Sequence, residues 1–551
     1  MARGVASKRK GMVTPFLLIC LAVPGLGCTP AAAHEVLHVS PRVSAPFATS
    51  GDPLLEWING LKAEKVQDRK RAVKQLAAEG SPAAWRALFG ALGDPESEVG
   101  DAAQKIAARI ADEAVAAQLA GRAGLAHKEL PIRLRAAEAL GRIKCSLDIA
   151  LLLAALDDSK PEVAHLCLWS LERLARARQL GGDQERGSAQ LEQACRSHRD
   201  GLVRASALVA RAAMFAVDSK EKQQLALDDF RHLLERCRED RDPRVRCAVA
   251  IGARELPAGL VFSLTRPLGA DPSMSVRLAL IETYEVGACK TAATALIAAL
   301  ETEPLDRVRG EIVAALQRIS GLKHRADPRP WRDWLRDMPS DWRPTLMPAR
   351  PASDQGVGQA AGVAHDGQTS ARANFVGLPL VSQRICFAID FSGSMWTPMP
   401  DGRLPKELVD ARLRATLESV PSRPEFNGVP FTYESLPWRP KLVPANPANV
   451  RTAIADFEKC QARGRGNFFD AAIFALDDPE VDTLVTLTDG VPTGGFHSDL
   501  ELVVALLIER NRFRRVAFDT VLVDAPAASE RRFRQLSEAT GGHIVATEKA
   551  E

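Results

Sequence analysis

The sequence predicts a multidomain protein in which an all-α solenoid precedes an α/β domain with a doubly wound parallel sheet. Across residues 50–325, Ala, Leu, Val and Arg dominate and the apolar residues recur at helical spacing. From residue 375 onwards, short apolar strands alternate with helical stretches, as in a parallel sheet that helices cover on both faces. A chain of 551 residues is also too long to fold around one core.

Residues 1–33 have the layout of an export signal, with a basic start, an apolar stretch at 12–23 and a run of small residues. Two processing sites remain open. The Ala-Ala-Ala that ends at Ala33 fits signal cleavage, whereas the Leu-Gly-Cys that ends at Cys28 resembles a lipobox, in which the cysteine carries a lipid. Residues 34–50 follow as an N-terminal linker. We therefore expect an extracytoplasmic protein, periplasmic, envelope-bound or secreted, that meets a membrane only through a lipid on Cys28.

A repeat of 31–42 residues builds the predicted solenoid, which spans 51–343. Each copy has a polar turn, then a Val or Ile that Arg usually follows, then a helix of small residues. Such helix pairs must stack, because one pair alone cannot bury its apolar face, and the pattern resembles HEAT-like repeats. We expect the repeated Arg to bridge neighbouring copies and the concave face to bind protein. The marker positions are Val99, Ile132, Val163, Val203, Val245, Val276 and Val308.

A Trp-rich segment and a linker end the solenoid. Trp331, Trp334 and Trp342 are predicted to cap the open apolar edge of the last repeat. Residues 344–374 then lose the helical periodicity and gain Pro, Gly, Ser and Gln, a composition that favours a flexible linker.

The α/β domain, predicted at 375–551, has the pattern of a Rossmann-like sheet. A weaker strand lies in the segment FNGVPFTYES, where Pro430 indicates an edge or irregular position. The apolar strands are predicted at 384–390, 482–489, 516–523 and 543–547, and the helices near 403–419, 449–460, 468–476, 498–512 and 529–540.

Oxygen-bearing side chains follow two of these strands. Asp390, Ser392 and Ser394 come at the end of the first strand, and Asp489 ends the second. Ligands collect at the carboxyl ends of parallel strands, so we expect these side chains to meet there. Carboxylate and hydroxyl oxygens, without nitrogen or sulfur, suit Mg²⁺ or Mn²⁺. An ordinary turn formed by Asp, Ser and Gly is the alternative.

The motif Asp390-x-Ser392-x-Ser394, the TDG segment that contains Asp489 and the closing ATGG segment together resemble the von Willebrand factor type A (VWA) domain over about 375–548. The resemblance implies a metal-ion-dependent adhesion site, in which these four side chains surround a cation that binds a carboxylate of a partner.

One position departs from the VWA pattern. The second metal loop of the family supplies a Thr, whereas this chain has Gly466 there, and no Ser or Thr lies between 453 and 482. Asn467 or a water then takes the place of the missing hydroxyl.

The two parts together predict an exported protein-binding or adhesion scaffold, not an enzyme. No nucleophile–base arrangement, P-loop or H-E-x-x-H motif accompanies the site. The expected partners are proteins, bound at the metal edge of the VWA domain and at the concave face of the solenoid.

Two alternatives come from other families with similar repeats. The Ro autoantigen family also joins HEAT-like repeats to a VWA domain and binds RNA, but a thinly spread net charge of +3 argues against nucleic acid here. The bilin lyases are enzymes with HEAT-like repeats, but no chemistry in the repeats of this chain supports that alternative.

Overall fold

The structure, a computed structural model, places the described residues, which lie between 52 and 547, in one compact unit. The predicted export signal, the N-terminal linker and nearly all of the predicted 344–374 linker lie outside the described residues, so these boundaries remain predictions. The described residues are 52–344, 374–375, 378–379, 382–399, 402–419, 424–523 and 525–547.

The first part of the chain is a helical solenoid, as predicted. Aspartates in the turns start several helices: Asp200 and Asp242, for example, accept hydrogen bonds from the first backbone amides of the helices that follow them. Two short strands, β1 Leu147–Asp148 and β2 Leu180–Gly181, pair in parallel between helices. The helices are α1 Pro53–Gly60, α2 Val66–Glu79, α3 Pro82–Gly90, α4 Ser97–Ala107, α5 Glu113–Ala120, α6 Leu130–Leu140, α7 Ile149–Leu153, α8 Pro161–Arg176, α9 Gln184–Ser197, α10 Gly201–Val217, α11 Lys220–Arg238, α12 Pro243–Gly252, α13 Ala258–Thr265, α14 Met274–Val286, α15 Lys290–Thr302, α16 Asp306–Ser320 and α17 Pro328–Arg336.

The even-numbered helices from α2 to α16 form a continuous stack, in which each contacts the next. All seven marker residues of the sequence repeat lie on helices of this stack and are buried. Small side chains around the markers, such as Ala205, Ala207 and Ala210 on α10, are also buried and let neighbouring helices approach closely.

The repeated Arg bridges neighbouring copies, as predicted. On α12, Arg246 donates two hydrogen bonds to the Asp271 carboxylate of the following turn, at 2.6 and 2.9 Å, and one to the Asp240 carbonyl at 2.8 Å. The same arrangement recurs on α2, α6, α10 and α14 and ties each of these helices to the turns on both sides. The ladder pairs are Arg69–Asp94, Arg133–Asp158, Arg204–Asp240, Arg246–Asp271 and Arg277–Glu303.

The Trp-rich segment packs on the last helices. Trp331 is fully buried and makes an edge contact with Trp334, which makes another with Trp342. Because α17 contacts α15, these rings cover the apolar end of the solenoid.

A six-stranded sheet forms the second part, with the strand order β10-β9-β8-β5-β6-β7. All neighbours are parallel except β7, which pairs antiparallel with the first two residues of β6. Pro430 lies in β6 beyond those two residues, which agrees with the predicted edge position. The strands are β3 Asn374–Phe375 and β4 Leu378–Pro379, which form a separate pair, then β5 Arg384–Asp390, β6 Glu425–Phe431, β7 Val443–Pro444, β8 Thr483–Thr488, β9 Ala517–Val523 and β10 Ile544–Thr547.

Helices cover both faces of this sheet and follow the predicted stretches to within a few residues. They are α18 Pro405–Ser419, α19 Pro447–Lys459, α20 Phe468–Asp477, α21 Leu500–Arg510 and α22 Ala527–Thr540. In the part of the chain that the structure describes, no helix is both long and apolar enough to span a bilayer.

The solenoid and the α/β domain share an apolar core. One continuous cluster of buried side chains includes residues of the solenoid helices and of α20, α21 and α22. Across the boundary, the ring of Phe513, just after α21, lies 6.5 Å from the ring of His165 on α8. A second cluster, around Phe387 and Phe426, fills the other face of the sheet. The two parts are therefore packed against each other, although the sequence predicts a flexible linker between them.

Candidate metal site

Asp390 ends β5 at the carboxyl edge of the sheet, and it is 1% exposed. Its carboxylate accepts hydrogen bonds from the Ser392 amide at 2.8 Å and from the Thr488 hydroxyl at 2.6 Å. Burial and, after it, the negative charge of Asp489 raise the pKa of Asp390 to about 6, against the opposing effect of the hydrogen bonds from Thr488 and Ser392. A cation bound beside this carboxylate would favour its charged form.

The two serines lie side by side after Asp390. Their hydroxyl oxygens are 3.0 Å apart. Ser392 is buried, whereas Ser394 is exposed on the short 3₁₀ helix Gly393–Trp396. The Gly393 amide donates a hydrogen bond to the Gly464 carbonyl at 2.9 Å, which fastens this first loop to the second loop of the site.

Gly466, in that second loop, lies next to two of the predicted ligands. A Cβ at this position would be 3.6 Å from the Ser392 Cβ and 3.9 Å from Asp390 Oδ1. The nearest atom of all would be the Val491 carbonyl oxygen, at 3.5 Å. These are ordinary van der Waals separations, so the second loop leaves room for a side chain beside the site.

Asn467 caps α20 with its side chain. Its Oδ1 accepts a hydrogen bond from the Asp470 amide at 3.2 Å, and its Nδ2 donates to the Tyr433 carbonyl and the Asp470 carboxylate. These bonds engage both polar atoms of Asn467. A different hydroxyl lies beside the second loop, because Thr493 Oγ1 accepts a hydrogen bond from the Gly466 amide at 2.8 Å.

Asp489 follows β8, the strand that lies directly beside β5. Its Oδ1 accepts a hydrogen bond from the Val491 amide at 3.4 Å, and its side chain is partly exposed. The structure therefore brings the four predicted ligands to adjacent loops at one edge of the sheet.

The residues present fit a hard divalent cation. All four side chains offer oxygen, and the two carboxylates repel each other unless a positive charge lies between them. Among the described residues, no group of three or more His, Cys, Asp or Glu side chains is arranged to hold a metal. The candidate site has two carboxylates, and its other two oxygens are the serine hydroxyls.

Two kinds of contributor to the site were not predicted from the sequence. Thr488 opens the TDG segment directly before Asp489, so the motif itself contains a signal for it. The solenoid also contributes, through contacts that no local sequence motif predicts. Glu96 pairs with Arg465 of the second loop, and Asp101 accepts hydrogen bonds from backbone amides beyond the TDG segment.

The strand order, the D-x-S-x-S loop after β5 and the acidic residue after the neighbouring strand define a VWA domain, here joined to a helical-repeat solenoid. No protein-family model matches the chain. Its similarity to known proteins is nevertheless consistent with this class.

Among curated proteins, the inter-alpha-trypsin inhibitor heavy chain H4 of Homo sapiens is 34% identical over 131 residues, which cover 22% of this chain and 13% of that protein. The heavy chain H4 of Bos taurus is 30% identical over 137 residues, covering 23% of this chain and 14% of the relative. The matched segment thus spans only about an eighth of the length of these relatives.

Solved structures show partial similarity to the chain. A von Willebrand factor type A protein from Catenulispora acidiphila has 18% identity and a TM-score of 0.25, and the match covers 32% of this chain and 39% of that one. Kap121p bound to Nup53p has 13% identity and a TM-score of 0.35, and the match covers 48% of this chain and 33% of that one.

Proposed function

We propose that this protein is a non-catalytic binding scaffold whose VWA domain holds Mg²⁺ or Mn²⁺ and, through it, binds a carboxylate of a partner protein. The observation that supports this most directly is the meeting of Asp390, Ser392, Ser394 and Asp489 at the carboxyl edge of the sheet. Ser394 is open to solvent there, so a partner has access.

The donor set explains why such a cation would attract a further ligand. The two serines offer neutral oxygens, and Asp390 shares its oxygens with the Thr488 hydroxyl and the Ser392 amide. These ligands leave part of the positive charge uncompensated, and a bound metal would then supply an electrophilic position for an outside carboxylate.

The surface around the site favours a protein partner. Tyr433 is 62% exposed and Val491 is 44% exposed, so both offer apolar area near the loop that carries Gly466 and in the loop that follows Asp489. The guanidinium of Arg463 lies over the ring of Trp396, 4.2 Å from its centroid. Trp, Tyr and Arg are the side chains most enriched at energetic centres of protein interfaces.

Metal titration of the full-length protein tests the proposal. Wild-type protein should bind Mn²⁺ in isothermal titration, and Asp390→Ala should abolish that binding while circular dichroism shows that the variant is still folded. Asp477→Ala is the control, because Asp477 is an exposed carboxylate at the end of α20 in the same domain. Absence of binding by the wild type, or equal binding by Asp390→Ala, would contradict the proposal.

RNA binding is less well supported. The ladder arginines, including Arg133, Arg204 and Arg246, are engaged with carboxylates, and phosphate contacts need clustered cations that are not already paired. Retention of RNA by the protein that weakens steeply with salt would reverse this preference.

An extracytoplasmic location is part of the same proposal, and the layout of residues 1–33 supports it. Mass analysis of protein from the native host should show cleavage near Ala33 or a lipid on Cys28. An intact N-terminal Met1 would contradict it.

A further inference from the structure

We propose that Asp101 of the solenoid is a positioning residue for the third loop of the candidate metal site, the segment 489–499; the proposal rests on the metal-binding function above. Asp489, a predicted ligand, stands at one end of this loop. Asp101 binds the other end.

Asp101 lies in α4 and is 2% exposed. Its Oδ2 accepts hydrogen bonds from the Ser498 and Asp499 amides, at 2.9 and 2.8 Å. Its Oδ1 accepts one from Arg135 and one from His497 Nδ1, the latter at 2.7 Å. Three of these four donors belong to the third loop, so this buried carboxylate of the solenoid makes most of its hydrogen bonds to the α/β domain.

Arg135 reaches the same loop independently. One of its terminal nitrogens donates to the Phe496 carbonyl at 2.5 Å, and its guanidinium lies 4.6 Å from the centroid of the Phe496 ring. This use of an Arg–Asp pair differs from the ladder, in which the carboxylate caps a turn of the solenoid itself. Asp101 and Arg135 together form a clamp on residues 496–499.

Two further contacts join the solenoid to the loops of the site. Lys105 pairs with Asp499 at 2.8 Å, and Glu96 pairs with Arg465 of the second loop. Both the second and the third loop therefore take part of their support from α4 and the residue before it.

The third loop needs such support because little within it restrains its shape. It has no helix or strand between the end of β8 and the start of α21. Gly490 and Gly495 both adopt φ of +88°, a left-handed conformation that glycine favours. Strand β8 restrains the loop at Asp489, the Thr493 and Gly494 amides donate hydrogen bonds to the Gly466 carbonyl in its middle, and the Asp101 clamp restrains the far end. Ordering both ends in advance reduces the entropy lost when Asp489 meets a cation.

Removing the clamp should therefore weaken metal binding. Full-length Asp101→Asn should bind Mn²⁺ about tenfold more weakly than wild type, because groups that orient metal ligands typically affect affinity by that factor or more. Asp240→Asn is the matched control: it removes a carboxylate bonded to Arg204 in the solenoid, but Asp240 makes no contact with the site loops. It should change Mn²⁺ affinity less than twofold.

A milder pair of variants serves if Asp101→Asn fails to fold. Glu96→Gln weakens the contact with Arg465, whereas Asp68→Asn weakens an exposed pair with Arg71 on α2. Glu96→Gln should lower Mn²⁺ affinity about threefold and Asp68→Asn should not. Equal effects within each pair of variants would overturn the proposal.

Amide hydrogen exchange tests the positioning role of Asp101 independently of metal binding. If the wild type binds no Mn²⁺, the proposed function fails, but Asp101→Asn should still accelerate amide exchange at 496–499 relative to both wild type and Asp240→Asn. The same exchange in Asp101→Asn and Asp240→Asn would show that Asp101 does not position the loop.

Discussion

Gly466 is the residue at which this chain departs most clearly from the VWA pattern, because the family has a Thr hydroxyl at this position. The site lacks one hydroxyl, yet the space that it would occupy is present beside Asp390 and Ser392. The Thr493 hydroxyl lies beside the second loop, bonded to the Gly466 amide. We therefore expect that a single substitution at Gly466 can change the metal affinity of the proposed site.

Gly466→Thr should raise Mn²⁺ affinity about tenfold, because it adds an oxygen ligand where a Cβ meets no atom closer than 3.5 Å. The unfolding midpoint should change little, since Gly466 does not adopt a left-handed conformation. Titration with Mn²⁺ measures the effect. Gly259→Thr, in open space on α13, is the control, and an unchanged affinity in Gly466→Thr would show that the second loop does not face the cation.

At the scale of elements, α21 carries a carboxylate into the boundary between the two parts. Glu509 Oε1 lies 3.9 Å from His165 Nε2 of α8, and neither atom has a hydrogen-bond partner. Burial, with a smaller contribution from the charge of Glu172, raises the pKa of Glu509 to about 7, although Arg512 and Arg173 oppose the rise. Burial also lowers the pKa of His165.

This arrangement gives stability a definite pH dependence. The folded protein keeps a proton on Glu509 that the unfolded chain releases above about pH 4.5, so the contribution of Glu509 to the free energy of unfolding falls between about pH 4.5 and 7. Glu509→Gln should remove this fall and be more stable than wild type by about 1–3 kcal/mol at pH 8, but not at pH 4. Urea unfolding at both pH values measures the difference. Glu501→Gln, on the same helix but 56% exposed, should show no such divergence, and a loss of stability at pH 8 in Glu509→Gln would refute the assignment.

The second feature at the scale of elements is the Arg ladder, in which single arginines are expected to stabilise the solenoid. Arg246→Met should lower the free energy of unfolding by about 3 kcal/mol, because it leaves the Asp271 carboxylate, 6% exposed, without its cation. Arg329→Met is the control at an exposed pair with Asp327, where little change is expected. Adding Asp271→Asn to Arg246→Met should recover part of the loss. Equal stability of Arg246→Met and wild type would mean that the ladder is not stabilising.

At the scale of the whole molecule, the solenoid and the VWA domain behave as one unit because apolar and charged contacts both cross the boundary. The shared core includes side chains from each part. Arg512, after α21, pairs with Glu172 of α8 through two hydrogen bonds, at 2.5 and 2.9 Å. Such partly buried, bidentate pairs are stronger than exposed ones.

Cutting the predicted 344–374 linker should therefore leave the two parts together. A specific protease site inserted in that segment, once cleaved, should give two fragments on a denaturing gel that still co-elute in gel filtration. Glu172→Arg places a like charge opposite Arg512 and should make the cleaved fragments separate. Separation of the cleaved wild-type fragments would show that the boundary is too weak to join them.

The sequence by itself determined the class of each part and the identity of the candidate ligands. Helical periodicity, the repeated Val-Arg turn and the D-x-S-x-S motif are local patterns, and local patterns follow from the geometry of single helices, strands and turns. For that reason the strand positions, the structural role of the repeated Arg and the neighbourhood of Asp390 and Gly466 were all predictable.

Only the tertiary structure decided how the two parts meet and what supports the site. The bonds from His497 and the Ser498 amide to Asp101 join residues almost 400 positions apart, and no periodicity or motif records such a pairing. From the sequence alone, the charged residues Asp101 and Glu509 would be predicted to lie on the solvent-exposed faces of their helices. Packing of one part on the other buries the Asp101 carboxylate and leaves the Glu509 side chain 13% exposed, and this desolvation makes their hydrogen bonds and protonation matter.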